Sequence, residues 1–356
     1  MTFAARLAAR KDGRRVAVVL PALDEEATVG PLVAGLTRLC EGDPPLVDDL
    51  VVLDSGSTDR TAERAAAAGA RVLGRERAVP GVPVLPGKGE AMWRAVVALG
   101  SGPRPADLVC FVDADLVDPH PELVERLLAP LLTRPGTALV KGYHRRPLTG
   151  PGGSVGPGGS DDAGGHEGGR VTELLARPLL AALRPGLRHV RQPIGGEYAA
   201  TRELLDRLPF ATGYGVDIGL LLDTDADTVV GGTAAIAQAD LGVRRHRNRP
   251  LHELGRTSRE VLATALSRCG VDDSGAGLTA FLPDDVCSDD ARPGHGMETG
   301  WRAETRPLRQ VDRPPPGRVR DGGSAEPVVA PAARVGWDPS SDRRDVMAAW
   351  GPPSRT

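Results

Sequence analysis

A chain of 356 residues with 40% hydrophobic content can bury a substantial core, and with aromatics at only 3% that core is built from Ala, Val and Leu. A formal net charge of −3 provides no broad positive field, which argues against nucleic acid or an anionic membrane surface as partner. Cys40, Cys110, Cys269 and Cys287 show no CxxC spacing and read as small hydrophobes or free thiols of a reducing, cytoplasmic compartment. No run is apolar over enough length for a signal peptide or a membrane span.

Residues 1–14 are expected to form a flexible N-terminus. Residues 15–20 (RVAVVL) read as a buried strand ending at Pro21, followed by a turn through Asp24-Glu25-Glu26 and a helix over 28–39. A short strand over 50–53 closes on Asp54-Ser55-Gly56-Ser57-Thr58-Asp59, and a helix over 58–68 stops at Gly69. A third strand over 70–73 leads into a Pro/Gly loop over 80–89 and a helix over 90–99. Residues 108–116 (LVCFVDADL) read as the central strand, followed by a helix near 121–132 and a strand over 138–142. Strands alternating with helices predict an α/β fold: a Rossmann-like, mainly parallel sheet with helices on both faces.

Residues 149–168 are Gly-rich and are expected to be a flexible loop. Order is expected to resume with a helical stretch over 170–183 and to continue through Gly195-Gly196-Glu197-Tyr198, residues 214–223, an extended segment over 236–243 and a closing helix over 257–269. The domain is therefore set at 15–270, with halves at 15–147 and 169–270. Residues 271–356, rich in Pro, Gly, Asp and Arg, are expected to be a disordered tail outside it.

The chemistry begins with Asp113 and Asp115. A buried strand that delivers two carboxylates to its C-terminal end does so where open α/β sheets bind ligands, and the pairing points to a divalent cation with an anionic substrate beyond it. The bland alternative is that both cap the next helix. Asp24 and Glu25 after the first strand, Asp54 and Ser55 after the second, and Lys88 before a helix fall at the same sheet edge. Lysine is rare, with Lys11, Lys88 and Lys141 the only three among 44 basic residues, so each draws notice. Gly87-Lys88-Gly89 fails the GxxxxGK[ST] spacing and is no Walker loop.

PALDEEATV, VVLDSGSTDRT and FVDADL together resemble the nucleotide half of a GT-A glycosyltransferase. GKGEAMW, KGYHRRP, GGRVTELLARPLLAALRP, QPIGGEYA, GYGVDIGLLLDT and LGVRRHRNRPLHELG are similar to a narrower group, the glucosyl-3-phosphoglycerate synthases, retaining enzymes of actinobacteria. The resemblance covers residues 15–270 and implies glucose transfer from UDP-glucose or another NDP-glucose to 3-phosphoglycerate, with Mg²⁺ or Mn²⁺. It implies Pro21, Leu23, Glu25 and Ser55 at the uridine, Lys88 supporting the nucleotide, Asp113 at the ribose end, and Asp115 with His246 on the metal. It further implies Gly169, Arg170, Val171, Thr172 and Asn248 at the acceptor, Tyr214 and Asp217 near the sugar, and a homodimer. The sequence departs from that family at Asp24, often asparagine there, and at Asp217, usually glutamate.

The chemistry agrees: a diphosphate leaves only when its charge is neutralised, and backbone N–H groups entering a helix, with an arginine, suit a small trianion. His246, among four arginines, has a plainer reading as part of a solvated basic segment. Retention follows either from front-face attack, with a β-phosphate oxygen taking the acceptor proton, or from double displacement on a carboxylate. The rivals are mannosyl-3-phosphoglycerate synthesis, transfer to a polyprenyl phosphate, a DxDx[TV] phosphatase on Asp113-Ala114-Asp115-Leu116-Val117, and a nucleotide-sugar binder without turnover.

Overall fold

The computed structural model describes residues 1–117, 120, 122–145, 169–243, 251–283, 301–308 and 311–329. The chain starts with α1 (Phe3–Ala8), β1 (Val16–Ala22), α2 (Val29–Thr37), β2 (Asp49–Asp54), α3 (Thr61–Ala67), β3 (Arg71–Gly74), α4 (Arg75–Ala78) and α5 (Lys88–Gly100). It continues with β4 (Leu108–Phe111), α6 (Glu122–Thr133), β5 (Leu139–Arg145), α7 (Arg177–Leu183), β6 (Tyr198–Thr201), α8 (Arg202–Leu205), β7 (Phe210–Ala211), α9 (Val216–Ala226) and β8 (Ile236–Val243). Then come α10 (Leu251–Arg268), β9 (Leu278–Pro283), β10 (Trp301–Arg306), β11 (Val311–Arg313), α11 (Pro316–Arg320) and β12 (Val328–Val329).

Seven strands form one sheet in the order β3-β2-β1-β4-β6-β5-β8. β3, β2, β1 and β4 run parallel, as the apolar burial of β2, β1 and β4 predicts, while β3 is the partly exposed edge strand. Helices cover both faces. On one, Val19, Val51, Val109 and Phe111 pack on the almost wholly buried α5; on the other, Val18, Leu20, Val52 and Cys110 pack on α2 and α6. Leu123, Leu127, Leu128 and Leu131 form the i, i+4 stripe that seats α6, each contributing about 1.5–3 kcal/mol by burial.

The sheet is mainly parallel, as expected, and β6 is its exception, running antiparallel to both β4 and β5. That reversal matters: with Phe111 opposite Tyr198, the residues leading into β6 arrive at the edge where β4 ends. Gly195-Gly196-Glu197 is thereby brought beside Asp113.

Two expectations of disorder are corrected. The N-terminus is ordered: Thr2 caps α1 through Ala5 N–H at 3.2 Å, Leu7 is buried, and Lys11 bonds Asp48 at 2.5 Å and the Pro45 carbonyl at 2.8 Å. The chain after Gly270 is not uniformly a tail outside the domain, because β11 pairs antiparallel with β7 and Arg313 is buried. The expected loop over 149–168 and residues 330–356 lie outside the described residues. Among the described residues no helix is long and apolar enough to cross a membrane.

Candidate active site

Three strand ends and two helix starts meet at the C-terminal edge of β1, β2 and β4. Lys88 is the first residue of α5 rather than part of the preceding loop, so the helix begins two residues before Glu90, its expected start. The flanking glycines account for this. Gly87 takes φ +120, and a Cβ on either Gly87 or Gly89 would strike the carbonyl of Thr212 or Ala211. With no side chain in the way, Gly89 N–H donates to Gly213 O at 3.3 Å and Glu90 N–H to Thr212 O at 3.0 Å.

The Lys88 ammonium therefore lies between two carboxylates, 2.9 Å from Asp113 Oδ1 and 3.2 Å from Asp217 Oδ2. Burial alone would lower its pKa, but the charges of Asp113 and Asp217 outweigh burial and hold it above the ordinary lysine value. Asp217, in the first turn of α9, is buried, and burial raises its carboxyl pKa against the pull of Lys88 and Lys141. Gly196 closes the pair from the β6 side: any Cβ there would collide with both Lys88 Nζ and the Asp113 carboxylate.

Behind this pair is a second lysine that no motif assigned a role. Lys141 of β5 is 2% exposed, donates to Gly195 O at 2.7 Å, and stands 4.3 Å from the Tyr198 ring centroid. Burial lowers its pKa to about 8, opposed by Asp217. Its rarity in so arginine-rich a chain was the available signal. Since the unfolded chain keeps that proton up to about pH 10.5, folding releases it above about 8, and stability rises with pH across that window. Urea unfolding of the wild type and of Lys141→Met is therefore expected to diverge in the wild type's favour between pH 8 and 10 by up to about 1.4 kcal/mol per pH unit.

The residues expected at the uridine come from adjoining strand ends. Ala22 pairs with Asp54 in register, and Ser55 N–H donates to Ala22 O at 2.9 Å, so the ends of β1 and β2, with Pro21, Leu23 and Ser55, lie side by side at one sheet edge. Asp24 has φ +57, a conformation that favours Asn, Asp or Gly, and its Oδ1 accepts from Thr58 N–H at 2.7 Å. Asparagine serves that geometry equally well, so this departure from the family leaves the loop intact.

Gly169, with φ +76, precedes the helical turn at Arg170 and Val171, and Thr172–Ala176 forms a π-helical segment that runs on into α7. Val171 and Thr172 are buried while Arg170 is half-buried. Tyr214 N–H donates to Glu260 of α10 at 2.8 Å. His246 and Asn248 lie outside the described residues.

Asp113 is engaged by Lys88, which leaves the expected metal role to Asp115, half-buried on the turn after β4. A hard carboxylate oxygen at that edge suits Mg²⁺ or Mn²⁺, ions that fill the rest of their shell with phosphate oxygen and water. Among the described residues no group of three or more His, Cys, Asp or Glu side chains gathers as a metal site.

Residues 17–154, which carry β1 to β5 of this doubly wound sheet together with Lys88, Asp113 and Asp115, match Glycosyl transferase family 2, a class of sugar-transferring enzymes. The chain is 55% identical over 319 residues, covering 89% of itself and 88% of the relative, to glucosyl-3-phosphoglycerate synthase of Mycolicibacterium paratuberculosis. It is 36% identical to that of Petrotoga mobilis, covering 72% of itself and 74% of the relative. The chain belongs to the glucosyl-3-phosphoglycerate synthase family.

Two crystal structures of the Mycobacterium tuberculosis enzyme superpose on it. The complex with Mn²⁺, UDP and glucosyl-3-phosphoglycerate has TM-score 0.73 at 52% identity, covering 90% of this chain and 96% of that one. The complex with Mn²⁺, UDP-glucose and phosphoglyceric acid has TM-score 0.72 at 51% identity, covering 90% and 95%.

Proposed function

We propose that the chain transfers glucose from UDP-glucose to 3-phosphoglycerate with retention at the anomeric carbon, in the cytoplasm and as a homodimer. The carrying observation is the Lys88 ammonium, fixed between Asp113 and Asp217 at the carboxyl edge of a sheet whose relatives hold UDP-glucose and phosphoglyceric acid.

In this reading Pro21, Leu23, Glu25 and Ser55 border the uridine, and Asp113 faces the ribose end. Asp115 and His246 would hold Mg²⁺ or Mn²⁺, which when bound neutralises the diphosphate and makes it a better leaving group. Lys88 supplies a fixed positive charge beside that diphosphate and keeps Asp113 and Asp217 from repelling each other. Gly169, Arg170, Val171 and Thr172 would receive the acceptor: three amides entering a helix and one guanidinium match a phosphate and a carboxylate. Asn248 would assist them.

Asp217 steadies the sugar as charge develops at its anomeric carbon. Being pinned to Lys88 at 3.2 Å, it suits an electrostatic role better than attack on that carbon, so front-face attack is preferred to double displacement. Asp217→Ala is expected to reduce turnover about 10²-fold without abolishing it and without trapping a sugar on the chain.

The test is a panel of UDP-, ADP- and GDP-glucose and UDP-mannose, each offered with 3-phosphoglycerate and Mg²⁺ or Mn²⁺, reading nucleotide release and the phosphorylated glycoside. UDP-glucose should lead the panel, and addition of EDTA should stop release. Preference for the mannosyl donor, or phosphate release from 3-phosphoglycerate with no nucleotide sugar present, would replace this reading with one of its rivals.

A further inference from the structure

Residues 311–329 lie beyond the 15–270 domain set from the sequence and carry none of the expected substrate residues, yet three ion pairs bind them to that domain. Asp312 meets Arg268 of α10 at 2.5 Å, Arg313 meets Glu90 of α5 at 2.6 Å, and Arg320 meets Asp206. Arg313 is only 1% exposed. Its guanidinium reaches both Glu90 oxygens, at 2.6 and 2.8 Å, and donates to Pro83 O at 2.5 Å and Ala325 O at 2.8 Å. It also stands 4.9 Å from the Trp93 ring centroid, while Trp93 Nε1–H donates to Pro314 O at 2.7 Å.

Glu90 lies two residues beyond Lys88, and the backbone makes a parallel connection. Thr212 N–H donates to Val311 O at 2.9 Å, and Thr212 O in turn accepts Glu90 N–H at 3.0 Å. The same loop runs on into α9, which carries Asp217. The first turn of α5 needs such ties, since it starts on Lys88 between Gly87 and Gly89, and glycine is about 1 kcal/mol poorer than alanine as a helix former. Left to itself, that turn would fray and carry the ammonium away from one carboxylate or the other.

We propose that residues 311–313 form a strap across the catalytic domain, and that Arg313 is a positioning residue which, by gripping Glu90, holds Lys88 between Asp113 and Asp217. The strap rests on the proposed glucosyl transfer only for its kinetic readout, because Lys88 can be observed directly.

The experiment is timed acylation of the full chain by an amine-reactive ester, read peptide by peptide by mass spectrometry; only Lys11, Lys88 and Lys141 compete among the native lysines. Arg313→Met is expected to speed acylation of Lys88 about ten-fold, the equivalent of one pKa unit, with Lys11 unchanged. Arg313→Lys keeps the charge beside Glu90 but not the two-oxygen fork, so it spares the fold and should give a smaller acceleration. Arg320→Met loosens only the Asp206 contact of α11, beyond the strap, and should leave Lys88 at its wild-type rate. In the transfer assay, Arg313→Met should lower kcat about ten-fold with KM for 3-phosphoglycerate within about two-fold of wild type. The proposal is overturned if Lys88 keeps its wild-type rate in both Arg313 variants, or if all three lysines accelerate together, which marks general loosening. A wild-type chain that transfers no glucose would instead defeat the proposed function, and the labelling pattern would still decide the strap.

Discussion

Lys88→Met is expected to lower glucosyl transfer about 10³-fold, at the upper end of what loss of one preorganised electrostatic group costs an active site. The ammonium stands 2.9 Å from Asp113 and 3.2 Å from Asp217, and methionine keeps the unbranched stem, one atom shorter, while removing the charge. Two carboxylates would then face each other with nothing between them, at the place proposed for a diphosphate. The Asp217 carboxyl, already raised by burial, would rise further and take up a proton, losing its own charge as well. Arginine should not rescue the site by more than about ten-fold, since a planar guanidinium does not replace a compact ammonium where Gly196 backs directly onto the pair. Initial rates at saturating UDP-glucose and 3-phosphoglycerate check both variants, and a Lys88→Met enzyme near the wild-type rate would remove this lysine from the chemistry.

Glu90→Ala is expected to destabilise the fold by about 3–5 kcal/mol, the loss typical of removing one partner from a buried ion pair. Arg94 and Arg313 are 0% and 1% exposed, and both give hydrogen bonds to Glu90. Their other bonds run to neutral carbonyls: Arg94 to Arg75, Val79, Val82 and Pro83, and Arg313 to Pro83 and Ala325. Without the carboxylate, two desolvated positive charges remain close together. Urea unfolding should show a lower midpoint at unchanged m-value, whereas an unshifted midpoint would mean that Glu90 contributes little to holding the cluster.

β1, β2 and β4 were legible because they are buried on both faces and so read as apolar runs, and the edge strand β3 through its place between Gly69 and the Pro/Gly loop. Four residues, Tyr198–Thr201, are too few to show a period, and nothing local reveals that β6 runs against its neighbours. β11 was hidden by composition: Val311-Asp312-Arg313 sits in Pro- and Arg-rich sequence, and its partners Glu90 and Arg268 are distant in the chain. The same limit applies to the site. Lys88, Asp113 and Asp217 could be named through their motifs, but their shared ion pairs depend on how β4, α5 and α9 converge. Gly196 and Lys141 act through close approach and burial, which a one-dimensional pattern does not carry. The N-terminal helix was missed because Phe3–Ala8 is short, and its anchor, the Lys11–Asp48 pair, is long-range.

Proton NMR of the purified chain with UDP-glucose, 3-phosphoglycerate and Mg²⁺ tests the central claim most directly. The account predicts a new α-anomeric glucose signal that grows as UDP appears and 3-phosphoglycerate is consumed. A β-anomeric signal, or free glycerate with inorganic phosphate and intact UDP-glucose, would contradict it.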